Sequence, residues 1–191
     1  YCEIQDIFKN YKGLVLLTGS FDGLIGKLFA KNLTDEIVNL LKKIKSIFND
    51  NFYLEIQRHS DKGGQFYEKF LLSIAKKLDL PIIATHEVFY LEKDMYEAHD
   101  AYLCIGEKTY VNVKERRKYS KEHYLKTSEE MYELFKDLPD ALKNNENFPL
   151  RVSYRPENSP PILPNIQTLE SKNIDEILKS ESEIGLKVKL K

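Results

Sequence analysis

Residues 52–59 read Phe-Tyr-Leu-Glu-Ile-Gln-Arg-His, and residues 81–91 read Pro-Ile-Ile-Ala-Thr-His-Glu-Val-Phe-Tyr-Leu. Each begins as a short, nearly continuous apolar run and ends on polar, chemistry-bearing side chains. Runs of this kind are strands covered on both faces, as in a parallel sheet. Between them Phe66, Phe70, Leu71, Ile74 and Leu78 recur at helical spacing, after a loop containing Gly63 and Gly64. Strand, helix, strand in this order is a parallel βα unit.

Upstream, Gly13 to Thr18 reads as another buried strand, ending at Gly19-Ser20. The small-residue turn at Asp22-Gly23, with Gly26, leads into a short helix near Leu24 to Lys31. Thr34 is the expected N-cap of a longer helix whose apolar stripe is Ile37, Leu40, Leu41, Ile44, Ile47 and Phe48. Downstream the order changes. A helix is expected over Asp94 to Ile105, a basic loop or strand over Lys114 to Lys126, and helices from Ser128 to Phe135 and from Leu138 to Asn144. After Phe148 the chain turns Pro-rich (Pro149, Pro156, Pro160, Pro161, Pro164), and Ile174 to Leu190 closes it as an amphipathic segment.

The 191 residues are 42% hydrophobic, enough for one domain with a core. Lys and Arg (29) almost cancel Asp and Glu (30), for a formal charge of −1. The chain as a whole therefore carries no polybasic footprint, and a DNA partner would draw most of its phosphate contacts from elsewhere. Cys2 and Cys104 make no disulfide framework, so a reducing cytoplasm is the expected setting. There is no membrane-spanning apolar run and no opening signal peptide. The chain opens on Tyr1 rather than methionine, as expected for part of a longer polypeptide.

Reactive groups in parallel α/β folds gather at the carboxyl ends of strands. Three places qualify: Gly19-Ser20, Arg58-His59 and His86-Glu87. Two imidazoles and a carboxylate at adjacent strand ends can share a metal, with Zn, Mn or Fe suited to that donor set, or a phosphate. Each also has a plainer reading. His59 is equally well a loop histidine, and His86 and Glu87 are the polar residues that end most strands. His99 beside Asp100 reads as a packed or surface pair, and His123, among Lys121, Glu122 and Tyr124, as solvent-facing. Glu55 alternates with Leu54 and Ile56 and reads as an inward structural carboxylate. The Lys114 to Lys118 run is most simply a solvated face and only a weak nucleic-acid signal. There is no glycine-rich phosphate loop and no nucleophile elbow.

Several of these stretches together resemble one family. Leu14–Leu17 with Thr18-Gly19-Ser20, Phe52 through His59, and Leu80 through Thr85 are similar to the PHP (polymerase and histidinol phosphatase) domain of bacterial DNA polymerase III alpha subunits. The similarity continues through Glu97-Ala98-His99-Asp100, Leu103-Cys104-Ile105, Tyr119-Ser120, Tyr124 through Met131, Leu134-Phe135 and Leu138 through Leu142. The resemblance implies an α/β fold, a partial PHP-type distorted (β/α) barrel with a Pro-rich carboxyl-terminal extension. Residues 1–147 would be the carboxyl-terminal part of the PHP domain, and 148–191 a connection toward the polymerase core.

His59 matches a metal-ligand position of that family. The family pattern Thr-Asn-Asp-x-His-Tyr appears here as Thr85-His86-Glu87-Val88-Phe89-Tyr90. Glu87 thus stands for a metal-binding aspartate, and Phe89 stands where a second histidine belongs. His86 occupies the asparagine position, and the sequence leaves open whether it compensates. The resemblance places further His-x-His and Asp-His motifs before residue 1, and the magnesium-binding aspartates of nucleotidyl transfer beyond residue 191. No catalytic residue is therefore assigned within this chain; His59 and Glu87 are the metal-site candidates, for Zn or Mn in a complete domain, with Mg belonging to the polymerase core.

Three functional expectations follow. The first is a scaffold segment of a replicative polymerase subunit, whose partners are other holoenzyme subunits, including the proofreading exonuclease, with DNA held by the complete protein and no membrane. The second is a metal-dependent phosphoesterase or proofreading nuclease site completed by preceding residues. The third is a truncated, inactive product with unpaired strand edges.

Overall fold

The computed structural model describes residues 3–59, 64–162 and 173–190. Contacts divide the chain into two units, residues 1–153 and 154–191. The first is a mixed α/β unit built on three parallel strands, β1 (Leu16–Leu17), β2 (Phe52–Gln57) and β3 (Ile82–Thr85), in the order β1-β2-β3. Leu16 pairs with Phe52, and Leu54 through Gln57 pair with Ile82 through Thr85. All three strands therefore deliver their carboxyl ends to one edge of the sheet.

Seven helices of this unit are α1 (Ile4–Lys9), α2 (Leu24–Ala30), α3 (Thr34–Phe48), α4 (Gly64–Leu78), α5 (Tyr96–Gly106), α6 (Ser128–Phe135) and α7 (Pro139–Arg151). Their apolar faces explain the packing. Ile37, Leu41, Ile44 and Phe48 of α3, and Tyr67, Leu71, Ile74 and Ala75 of α4, are buried in one cluster with Phe52, Leu54 and Ile56 of β2. Burial of each such side chain contributes roughly 1.5–3 kcal/mol. Phe135 of α6 and Ala141 of α7 close the same core.

The edge of β3 is sealed from α7. Asn145 Oδ1 accepts from the Ala84 N–H at 3.1 Å, its Nδ2 donates to the Ala84 carbonyl at 2.6 Å, and Asn144 Nδ2 donates to the Ile82 carbonyl at 2.8 Å. Two side-chain amides thus stand in for a neighbouring strand, satisfying backbone groups that would otherwise be buried unpaired.

Local departures from the sequence reading have physical causes. The first strand is two residues rather than six, because Gly13 takes φ +76° and the Leu14 N–H is spent on a turn to the Tyr11 carbonyl. Thr34 does not cap α3: Leu33 holds that position with no side-chain cap bond, its own N–H donating to the Leu28 carbonyl in the tight connection from α2. Thr127 does cap α6, in a reciprocal box with Glu130. The α7 helix runs past Asn144 to Arg151 and carries Pro149 in its last turns. Arg151 donates to the Asp50 carbonyl, Asn51 Oδ1 and the Tyr53 hydroxyl, tying the helix end to the start of β2.

The second unit holds the exposed stretch from Tyr154 to Ile162 and α8 (Ile174–Lys189), capped by the Asn173 side chain. Cys104 is buried and unpaired, and Cys2 and Gly63 lie outside the described residues. Among the described residues no helix is long and apolar enough to cross a membrane.

Candidate functional site

The carboxyl edge of the sheet opens into a cleft of about 1080 Å³ whose walls include Ser20, Tyr67, Arg58, His59, Glu87 and His123. Two polar clusters occupy its floor, one on the strands and one just past them.

The strand cluster centres on Glu55. Period-2 alternation turns Glu55 and Gln57 away from the apolar face that buries Leu54 and Ile56. Glu55 Oε2 accepts from the Gly19 N–H at 2.9 Å; Oε1 accepts from Gln57 Nε2 at 2.9 Å and from the Thr85 hydroxyl. The Glu55 N–H in turn donates to Thr18 Oγ1 at 2.9 Å. One carboxylate therefore ties the ends of all three strands together. Gly19 at φ +78° is the backbone that permits this approach. Nearby, burial and then the Glu55 charge push the Tyr67 phenol well above its ordinary range.

Arg58 faces the other way and is a clamp. It forms a two-pronged pair with Glu68 of α4 (3.0 and 2.5 Å), another with Asp137 (2.6 and 2.8 Å), and a bond to the Leu134 carbonyl at 2.5 Å. Its guanidinium also lies over the Phe135 ring at 4.8 Å. The bonds to Asp137 and then Glu68 hold it protonated well above the ordinary range.

The second cluster is imidazole. His59 stacks on His123 with ring centres 4.0 Å apart and planes 8° apart, and lies 4.5 Å from His86. His59, Glu87 and His123 bring one ligand atom each to within 4.8 Å of one another. Both sequence-predicted metal residues, His59 and Glu87, therefore meet, and the third member is one that sequence reasoning missed. His123 is buried, not solvent-facing, with 4% exposure. The loop after α5 returns it to the strand end: the Phe89 N–H donates to the His123 carbonyl and the Leu125 N–H to the Tyr90 carbonyl, both at 2.9 Å. Only the Ser120-Lys121-Glu122-His123 spacing hinted at this, because a serine three residues before a histidine can hold its ring.

That serine also fixes the tautomer. Ser120 Oγ gives its one proton to the His59 carbonyl at 2.8 Å, so toward His123 Nδ1, 3.0 Å away, it acts as acceptor; the Ser120 carbonyl is 3.2 Å from the same nitrogen. His123 thus carries its proton on Nδ1 and presents the Nε2 lone pair, 4.0 Å from Glu87 Oε2. His59 receives only a long contact at Nε2, from the Glu87 N–H at 3.4 Å, and its Nδ1 is buried without a partner. Burial first, then His123 and His86, push the His59 pKa down to about 3. Burial lowers His86 as well. At neutral pH the His59 and His86 rings are uncharged, the form of imidazole that binds a metal.

His86 lies under His59 rather than in the group with Glu87, and both its ring nitrogens are buried without hydrogen bonds. Phe89, the position where the resemblance puts a histidine, packs against Tyr119 at 4.0 Å and His123 at 5.3 Å and forms a wall of the cluster. His99 stacks on Phe89 and packs against a tilted Tyr90 ring. Its neighbour Asp100 is buried in a two-pronged pair with Arg116, at 2.7 and 2.6 Å. Arg116, in the run read as a solvated face, is therefore an interior anchor whose side chain is 4% exposed.

No family model matches the chain. Curated relatives do. DNA polymerase III subunit alpha of Caulobacter vibrioides is 36% identical over 184 residues, that of Rickettsia bellii 34% over 190, and that of Vibrio cholerae 30% over 185. These alignments cover 96%, 100% and 96% of this chain. The chain is homologous to a segment of the DNA polymerase III alpha subunit. It spans 16% of the length of each of those alpha subunits, so the match identifies a segment and not the whole polypeptide.

Proposed function

We propose that this chain acts within a replicative DNA polymerase alpha subunit as a scaffold segment, the carboxyl-terminal part of a PHP-type domain whose barrel is completed by further strands. The observation that carries this reading is alignment over nearly the whole chain with one segment of alpha subunits, from relatives in several genera. Supporting it are a continuous apolar core and two arginine clamps, the half-buried Arg58 and the interior Arg116. In the complete protein this segment supports the polymerase core, where Mg and the DNA are held, and helps to seat the proofreading exonuclease subunit. Deleting residues 1–153 from the complete alpha subunit is expected to abolish copurification with that exonuclease. Undiminished copurification would sink the scaffold role.

A second reading is favoured by one observation, the convergence of one ligand atom each from His59, His123 and Glu87 to within 4.8 Å of one another. His59, His123 and Glu87 are a donor set that suits Zn or Mn, with Ser120 orienting the His123 ring. A bound metal would supply Lewis acidity for phosphoester hydrolysis, with remaining ligands from outside this chain. The chain's own residues would hold two imidazoles and a carboxylate at one point, with Phe89 as a wall against His123. Metal analysis of the complete protein tests it. Bound Zn or Mn that is lost in His59→Ala and His123→Ala supports the reading; absence of bound metal in the parent removes it.

A further inference from the structure

The outer face of α5 lacks the charge that a helix at the surface normally presents. Its inner face is accounted for: His99 stacks on Phe89, Asp100 is buried on Arg116, and Cys104 is buried. Opposite them stand Ala98, Ala101, Tyr102 and Ile105, at i, i+3, i+4 and i+7, which is the spacing of one helical stripe. All four are exposed, Tyr102 by 72% and Ile105 by 75%. Met95, one turn before Ala98 at the start of the helix, extends the stripe and is also exposed. With Asp100 consumed by Arg116, Glu97 is the one acidic or basic side chain that α5 leaves to its outer surface. The α3 and α4 helices of the same unit differ, for they turn Lys42, Lys43, Lys76 and Lys77 outward. A helix that is apolar all round is one that is covered on both sides.

We propose that this stripe is covered by a second copy of the chain, the two α5 helices lying antiparallel about a twofold axis between Ala101 and Tyr102. In a twofold interface residue i meets residue j and j meets i. Ala101 of each copy then faces Tyr102 of the other, and Ala98 faces Ile105. Every large side chain meets a small one, so the helices approach closely and the large groups fill the space that the alanines leave. Parallel pairing would instead set Tyr102 on Tyr102 and alanine on alanine. Charge selects the same arrangement. Asp94 and Glu97 lie at the amino end of α5 and Lys108 just past its carboxyl end. Among the described residues neither Asp94 nor Lys108 has an ion-pair partner, whereas Glu107 is engaged by Arg117. Antiparallel pairing brings each Asp94 to the Lys108 of the other copy and opposes the two helix dipoles. Three helical turns make a small interface, below the roughly 1,200 Å² of a standard one, so the pairing is reversible and concentration-dependent. The inference rests on neither the scaffold nor the metal reading.

Sedimentation velocity of the 191-residue chain over a concentration series tests it. The weight-average mass should climb toward twice that of one chain as concentration rises. Ala101→Glu sets a carboxylate on the axis against its own copy and should weaken the association about tenfold or more. Asp94→Lys or Lys108→Asp alone should weaken it roughly threefold, and the two combined in one chain should restore it. Restoration by the combined variant is an outcome that a folding defect does not produce. A chain that stays monomeric at every concentration, or an association that Ala101→Glu leaves intact, would overturn the proposal. Ala101→Glu in the complete alpha subunit separates the occupants. An unchanged melting temperature at low concentration is expected, whereas a lowered one would assign the stripe to further residues of the same polypeptide and overturn the pairing of copies.

Discussion

Two polar clusters sit at the same edge of the same sheet, and they are built on opposite terms. Around Glu55 both carboxylate oxygens have donors, drawn from the ends of all three strands. Around His59 three ring nitrogens, His59 Nδ1 and both of His86, are buried without a hydrogen bond. A buried polar atom without a partner carries a desolvation cost of roughly 1–3 kcal/mol; around Glu55 it falls on Gln57 Oε1 and the Tyr67 hydroxyl, beside a fully bonded carboxylate, whereas around His59 it falls on the rings that make up the cluster. The lesson is that the strand ends alone hold the sheet together through Glu55, whereas the imidazoles need something more before their presence is favourable.

The contrast predicts an order of mutational effects. The largest belongs to Arg58, which separates the two clusters in sequence and ties α4 to the α6–α7 connection. Arg58→Ala leaves Glu68 half-buried without its counter-charge and should cost about 3 kcal/mol in chemical denaturation. A loss below about 1 kcal/mol would mean that Glu68 and Asp137 rehydrate freely and that the clamp is superficial. Next comes Glu55→Ala, which strips the acceptor from the Gly19 N–H, Gln57 and Thr85 at once and should cost about 2 kcal/mol. Glu55→Gln keeps an acceptor oxygen and should recover part of that loss. If the two variants were equal, the bonds drawn around Glu55 would not be what joins the strands.

How much of this was legible beforehand differs between the two clusters for a physical reason. The Glu55 cluster follows from strand periodicity, a local property: alternation with Leu54 and Ile56 dictates that Glu55 faces away from the core. His59 and Glu87 were legible because both sit directly after strands that pair in parallel. His123 was not, because its place depends on a loop returning over more than thirty residues, stapled by Arg116 on Asp100 and latched at Tyr90 and Tyr124. Residues flanked by Lys121 and Glu122 read as solvated unless that long-range closure is known. The first strand was overread for the converse reason: its apolar run is real, but Gly13 and the Tyr11 turn withdraw backbone that the run alone would assign to the ladder.

The imidazole side of the comparison is exposed by acid. His59, pushed down to about 3, and His86, also lowered, stay neutral in the folded chain at pH values where unfolded histidine, near 6.5, takes up a proton. Between those values the unfolded state binds more protons than the folded one, so stability rises with pH and falls on acidification. The contribution is intact above about pH 6.5 and is lost progressively as the pH drops toward the folded value. Melting temperatures taken downward from neutral pH should begin to decline below about pH 6.5, in the upper part of this window where carboxylates do not yet titrate. A flat profile there would mean that the rings are wetter than their burial indicates.

The smallest expected effect is the most discriminating. His59→Leu removes a ring that has no strong hydrogen bond to lose and replaces it with an apolar side chain of similar bulk. At neutral pH without added metal its stability should stay within about 1 kcal/mol of the parent, in contrast to the loss at Glu55 four residues earlier. At lower pH it should be the more stable protein, because one of the two depressed imidazoles is gone and the slope with pH is shallower. With Zn added, the order should invert on the metal reading: ligand binding to the folded state raises the melting temperature of the parent and leaves the variant behind. Should His59→Leu cost as much as Glu55→Ala without metal, the imidazoles would be structural after all, stacked for packing alone. Should Zn leave both proteins unmoved, this half of the sheet edge would serve the scaffold only, and the unpaired nitrogens would be a standing cost that the rest of the fold offsets.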